Sequence, residues 1–127
     1  MERKYRLRQK SDFRQARVEG KSWAHPLMVL YVRRNGLPGS RFGFSVGKRV
    51  GNAVVRNRAR RRAREAVRLL IPSIEIGWDV LFVARPPMAA ATYLEIASVT
   101  ETLLRRAGLM KRERKQVRSF EDSELAG

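Results

Sequence analysis

At 127 residues with 43% hydrophobic side chains, the chain is sized for one domain with a real core. Its 28 Lys and Arg against 12 Asp and Glu leave a formal charge of +16, which points to a polyanionic partner. The absence of cysteine excludes a disulfide framework and a thiolate metal site and fits a reducing cytoplasm, while no apolar run approaches the roughly 18 residues of a membrane span and the N-terminus lacks a signal peptide's apolar core.

Residues 1–10 read as a basic arm, loosely held. Ser11 can cap a helix whose first turn carries Asp12. Phe13, Ala16 and Arg17 then fall one turn apart, and Gly20 should end the helix. Phe13 fits either a core anchor or an aromatic facing a groove where a base stacks. Leu27 to Val32 is an apolar run of strand length. Asn35-Gly36 and Pro38-Gly39 mark turns. From Arg41 to Val46 the pattern alternates, with Phe42, Phe44 and Val46 on one face and Arg41, Gly43 and Ser45 on the other. These two strands are expected to form a hairpin, with helices on one sheet face. The other face, carrying Gly43 and Ser45, is expected to be open. Tyr31 either lies there or is an ordinary half-buried sheet tyrosine.

Gly47 to Asn52 reads as the turn into a helix, with Asn52 as its cap and free amides that favour a phosphate. From Lys48 to Arg68, nine side chains are Lys or Arg and only Glu65 is acidic. Val55, Ala59, Ala63, Ala66 and Leu70 recur at the spacing of one helix face. Asn57, Arg61, Arg64 and Arg68 project opposite them, with Arg60 beside them and Arg56, Arg58 and Arg62 on the flanks. A solvated surface helix is the plainer alternative, but it would balance its cations with Glu one turn away. Arg in place of Lys favours phosphates and base edges, which its planar fork grips with two donors. Anionic lipid is the weaker partner, because the seam is Ala-rich and offers no Trp or Phe to a bilayer.

Pro72 closes that helix. Trp78 to Ala84 reads as a strand buried on both faces and interior to the sheet, ended by Arg85-Pro86-Pro87. Thr92 and Glu95 match a capping box, and Leu94, Ala97, Val99 or Thr100, Leu103 and Leu104 supply the next apolar stripe, which stops at Gly108. Residues 111–127 read as a short helix or a tail. Pattern alone places helix, two strands, basic helix, strand, helix. Helices should cover one face of a small sheet. Together with the family resemblance of the basic stretch, the expected fold class is α+β: a two-layer sandwich with a small, mainly antiparallel sheet of about four strands, in the order α-β-β-β-α-β-α.

Independent chemistry is not expected. His25 is the only histidine and precedes Pro26 at a strand start, a structural setting. No carboxylate pair has two-metal spacing. Asp79 looks isolated in its strand, and Glu95 and Glu101 look like cap and surface residues. No glycine-rich phosphate loop is present. The expectation is that no catalytic residue and no metal site lies on the chain.

The stretch Phe44-Ser45-Val46-Gly47-Lys48-Arg49-Val50-Gly51-Asn52-Ala53-Val54-Val55-Arg56-Asn57-Arg58, continuing through Arg60, Arg61, Arg64 and Glu65, resembles the protein subunit of bacterial ribonuclease P. Weaker resemblance runs from about Ser11-Asp12-Phe13 to the last helix. The resemblance implies a cytoplasmic ribonucleoprotein that removes the 5′ leader from precursor tRNA. A large RNA is its catalyst, magnesium ions serve the holoenzyme, and one protein binds per RNA. It implies docking on the catalytic RNA through Lys48, Arg49, Asn52, Arg56, Asn57, Arg58, Arg60, Arg61, Arg64 and Arg68. It further implies a leader cleft between the first helix and the open sheet face, built by Phe13, Arg17, Tyr31, Ser45 and Lys48, where a single strand stacks and slides. A left-handed strand-helix-strand crossover through the basic helix belongs to the same family picture, against the general right-handed rule. Ala59 and Ala63 stand where the family often has larger aliphatics, Arg62 where it often has an apolar residue, and Arg17 where some members have a second cleft aromatic. Residues 1–127 are then one RNA-binding domain with loosely ordered ends at about 1–10 and 111–127. The alternatives are a ribosomal or RNA-chaperone protein with no role in cleavage, and a self-contained nuclease.

Overall fold

The computed structural model describes residues 1–111, with three helices and one four-stranded sheet. In chain order these are α1 (Lys10–Glu19), β1 (Lys21–Ala24), β2 (Met28–Arg34), β3 (Arg41–Ser45), α2 (Ala53–Leu70), β4 (Trp78–Ala84) and α3 (Tyr93–Arg106). The order is the expected α-β-β-β-α-β-α. The strand that pattern did not place is β1, four residues whose only partly covered side chain is Trp23. Residues 112–127, read as part of a tail or short helix, lie outside the described residues.

The sheet runs β1-β2-β4-β3, so the expected hairpin between β2 and β3 does not form. The strand β4 separates them, antiparallel to β2 with Leu30 opposite Phe82, and parallel to β3 with Phe44 opposite Phe82. The cause is the apolar run of β4. Val80, Leu81 and Phe82 are all buried, and a strand apolar on both faces belongs inside a sheet. A β2–β3 hairpin would displace it. The parallel β3–β4 pair requires a crossover, and α2 supplies it.

On one face Met28, Leu30, Val32, Phe42, Phe44, Val80 and Phe82 meet Ala59, Ala63 and Val67 of α2 and Ile96, Val99, Leu103 and Leu104 of α3. The Phe44 and Phe82 rings stack with centroids 5.7 Å apart. The α2 seam buries Ala59, Ala63, Ala66 and Val67, while Val55 and Leu70 are only half covered. Its small residues let the backbone approach the sheet. On α3 the stripe is Ile96, Val99, Thr100, Leu103 and Leu104. Leu94, expected in it, is 77% exposed, because the steps of three and four pass through Ile96 instead. The capping box forms: Glu95 N–H donates to Thr92 Oγ1 at 3.1 Å and Thr92 N–H to Glu95 Oε1 at 2.8 Å.

The opposite face is not left open. There α1 lies against the sheet, with Leu7, Ala16 and Leu81 buried and Phe13, Tyr31 and Val83 around them. The N-terminal arm, expected to be loose, runs along β3, where Leu7 N–H donates to Phe42 O at 2.8 Å and Leu7 is buried. An edge strand with free backbone groups favours such a partner. No helix among the described residues is long and apolar enough to cross a membrane.

Candidate nucleic-acid interface

The helix α2 begins where Asn52 Oδ1 accepts the Val55 N–H at 3.0 Å, so Asn52 is used as a cap. Just before it, the turn Lys48–Val50 is anchored by buried Val50 and leaves Lys48 and Arg49 exposed. The seven arginines of α2 divide by what they touch. Among the described residues only Arg68 meets a carboxylate, in a two-pronged pair with Glu65 at 2.6 and 3.0 Å. That contact raises the Arg68 pKa and lowers that of Glu65. Arg60 donates to Asn57 Oδ1 at 2.9 Å, and both stay at the surface. Arg61 is exposed and has no partner among the described residues.

The flanking arginines serve the protein. Arg56 donates to Gly51 O at 3.0 Å and braces the turn into the helix. Arg58 and Arg62 reach across to Ala89 O at 3.4 Å and Ala91 O at 2.9 Å, tying α2 to the chain before α3. Arg62 is therefore half-buried with its head on a carbonyl. Arg64 is half-buried with its guanidinium 5.9 Å from the Phe44 ring centroid. Burial lowers its pKa, and the charges of Arg6 and Arg60 lower it further. A guanidinium held among like charges gains from any anion that settles there.

The second area lies between α1 and the sheet. The Phe13 ring rests on Gly43: a Cβ at that glycine would sit 2.9 Å from Phe13 Cε1 and 3.2 Å from Leu7 Cβ. Phe13 is thus a packing anchor that keeps part of its ring exposed. Arg17 reaches from α1 to Ser45 Oγ at 3.4 Å. Both line a hollow of about 490 Å³ with Arg49, Val83, Arg85 and Pro86. Phe13 lines a smaller one of about 200 Å³ with Arg6, Arg8, Phe44 and Arg64. Tyr31 is half-buried beside Leu81, its register partner is Leu81 itself, and it lines neither hollow. Lys48 lines neither; its neighbour Arg49 does.

Sequence reasoning missed Arg6, Arg8 and Arg85, and placed Arg49 only on the helix side. The usable signal for the arm was Arg6-Leu7-Arg8, an alternation around one buried residue. Asp79, read as isolated, is fully buried and holds Arg41, Arg33 and Asn35. His25 is structural as expected, its Nδ1 accepting from Leu27 N–H at 3.0 Å. A hollow of about 590 Å³ lined by Tyr5, Leu37, Pro38, Ile71, Ile74 and Ile76 among others holds none of the expected site residues. Among the described residues no three His, Cys, Asp or Glu side chains gather to hold a metal ion.

The family model for ribonuclease P matches residues 1–108. The ribonuclease P protein component of Roseiflexus castenholzii is 45% identical over 112 residues, covering 87% of this chain and 92% of the relative. That of Chloroflexus aurantiacus is 46% identical over 114 residues, covering 87% and 82%. Among solved structures, the RNase P protein of Staphylococcus aureus superposes with a TM-score of 0.78 at 32% identity, covering 84% of this chain and 98% of that one. The Thermotoga maritima RNase P protein gives 0.73 at 30% identity, covering 80% and 96%.

Proposed function

The chain belongs to the ribonuclease P protein family, and from that premise we propose that it is the protein subunit of a cytoplasmic ribonuclease P. It binds the catalytic RNA and the 5′ leader of precursor tRNA and assists the endonucleolytic cut that makes the mature 5′ end. The observation that carries this reading is the α2 surface. Among the described residues, six of its seven arginines have no carboxylate partner and Arg61 has no hydrogen-bond or ion-pair partner. Such a face gains most from phosphates, which neutralise it and release counterions.

Roles divide along the two areas. Lys48, Arg49, Asn57, Arg60, Arg61 and Arg64 meet the catalytic RNA, with Arg68 at the far end sharing its charge with Glu65. Asn52, Arg56 and Arg58 shape the helix and its attachments while remaining at the RNA side. Phe13, Arg17 and Ser45 face the leader, with Tyr31 packed in the same cluster as Phe13 and Lys48 and Arg49 between the two areas. The ring of Phe13 in one hollow and the Arg17 guanidinium with the Ser45 hydroxyl in the other together suit a strand of any sequence.

The chemistry is assigned to the RNA. Magnesium belongs to the holoenzyme in this reading. One protein acts per RNA. The test is recovery of the tagged chain from its own cells. One structured ribonuclease P RNA together with precursor tRNAs is the expected cargo. Recovery of ribosomal particles in its place would favour the ribosomal or chaperone alternative.

A further inference from the structure

A carboxylate inside an apolar strand is costly unless its charge is matched. Asp79 is fully buried on β4 and collects four donors. Arg41 gives Nε to Oδ1 at 2.9 Å and Nη2 to Oδ2 at 2.8 Å, Asn35 gives Nδ2 to Oδ1 at 3.0 Å, and Arg33 gives Nη1 to Oδ2 at 3.4 Å. Both arginines also reach outward to α1. Arg33 Nε donates to Glu19 Oε1 at 3.0 Å, and Arg41 Nη1 lies 3.8 Å from Asp12 Oδ2.

Those two acids stand in the first and last turns of α1, seven positions apart, with Ala16 between them on the same stripe. Ala16 is the one buried residue of this ten-residue helix. A helix so short is marginal alone, and its apolar hold is thin. At its end a side chain on Gly20 would run into the carbonyls of Ala16 and Val32, so the approach is close. Phe13 and Arg17 sit on the adjoining face, so whatever grips the Asp12–Ala16–Glu19 stripe sets where they stand over Gly43 and Ser45.

We propose that Asp79 is a positioning residue for leader binding: through Arg33 and Arg41 it clamps both ends of α1 to the sheet and thereby sets the width of the cleft. The proposal rests on the leader-cleft reading above. Asp79 touches no RNA. Its removal leaves two guanidiniums facing each other without their shared counter-charge, and the helix loses its fixed seat.

The test compares reconstituted holoenzymes with wild-type chain, Asp79→Asn, and the outer-arm variant Asp12→Asn with Glu19→Gln. The readout is the ratio of affinities for precursor tRNA with a long leader and for mature tRNA. Asp79→Asn should cut that ratio about tenfold, the effect of forfeiting the stacking of one base when Phe13 loses its seat, while affinity for the catalytic RNA stays within about twofold. The outer-arm variant should lower the ratio in the same direction, and it remains informative if Asp79→Asn does not fold. An unchanged ratio in a folded variant overturns the proposal. Spin labels at Val18 and Leu94, both exposed, read helix position without any leader, and their distance distribution should broaden in either variant. A wild-type ratio near one would overturn the cleft reading and this leader role with it, whereas a normal wild-type ratio and an unbroadened distance in the variants would overturn the clamp alone.

Discussion

Replacing Arg61 and Arg64 together by Ala tests how the helix binds RNA. Five cations at this surface, Lys48, Arg49, Arg60, Arg61 and Arg64, have no carboxylate partner among the described residues. If each neutralises one phosphate, the logarithm of affinity should fall with the logarithm of salt with a slope of about −3.5 to −4.5. Affinity then drops by about four powers of ten across a tenfold rise in salt. Removing two of the five should make the slope shallower by about 1.5. The fold should survive. Arg61 makes no hydrogen bond or ion pair among the described residues, and the Arg64 contact with Phe44 is worth about 0.5–1 kcal/mol at such a partly open site. Filter binding to the catalytic RNA at several salt concentrations, with a thermal melt of each protein, measures both. A slope identical to wild type would refute the reasoning, since the two arginines would then not be at phosphates.

Arg62→Ala should behave in the opposite way, costing about 0.5–1.5 kcal/mol of stability through the lost bond to Ala91 O with the salt slope unchanged; equilibrium denaturation and the same titration check it. Phe13→Leu should keep most of the packing on Gly43 but lose base stacking, so the melt stays near wild type while affinity for long-leader substrates falls by up to about tenfold. Gly43→Ala should destabilise by about 1–3 kcal/mol through overpacking against Phe13 and Leu7, read by urea unfolding, and an unchanged midpoint would show that α1 moves freely. Thr92→Ala should cost about 1 kcal/mol by breaking the capping box of α3, with RNA affinity preserved.

What could be read from the sequence is what local periodicity encodes. The α2 seam, the Thr92 cap and the burial of β4 each depend on residues within a few positions of one another. The strand β1 escaped because Lys21-Ser22-Trp23-Ala24 carries no alternation, and only its pairing with β2 makes it a strand. The β2–β3 hairpin failed for a related reason: turn residues between two strands favour proximity, while the demand of β4 for two covered faces is a property of the whole sheet. The arginines of α2 look alike in sequence. Their division into outward-facing charges and protein clamps depends on where the carbonyls of Ala89 and Ala91 fall, which no helical wheel contains. Asp79 was passed over because its partners lie 38 to 46 positions away. Gly43 and Ser45 do lie on the face that α1 packs against, but the N-terminal arm and α1 that cover part of it were beyond local pattern.

The most direct measurement is single-turnover cleavage of precursor tRNA at low magnesium by the cognate RNA, alone, with the wild-type chain, and with Arg61→Glu combined with Arg64→Glu. The account predicts no cutting by the chain alone, strong stimulation of the RNA by wild type, and stimulation lost with the charge-reversed chain at protein concentrations that saturate wild type. Full stimulation by the charge-reversed chain, or cleavage by RNA-free protein, would contradict it.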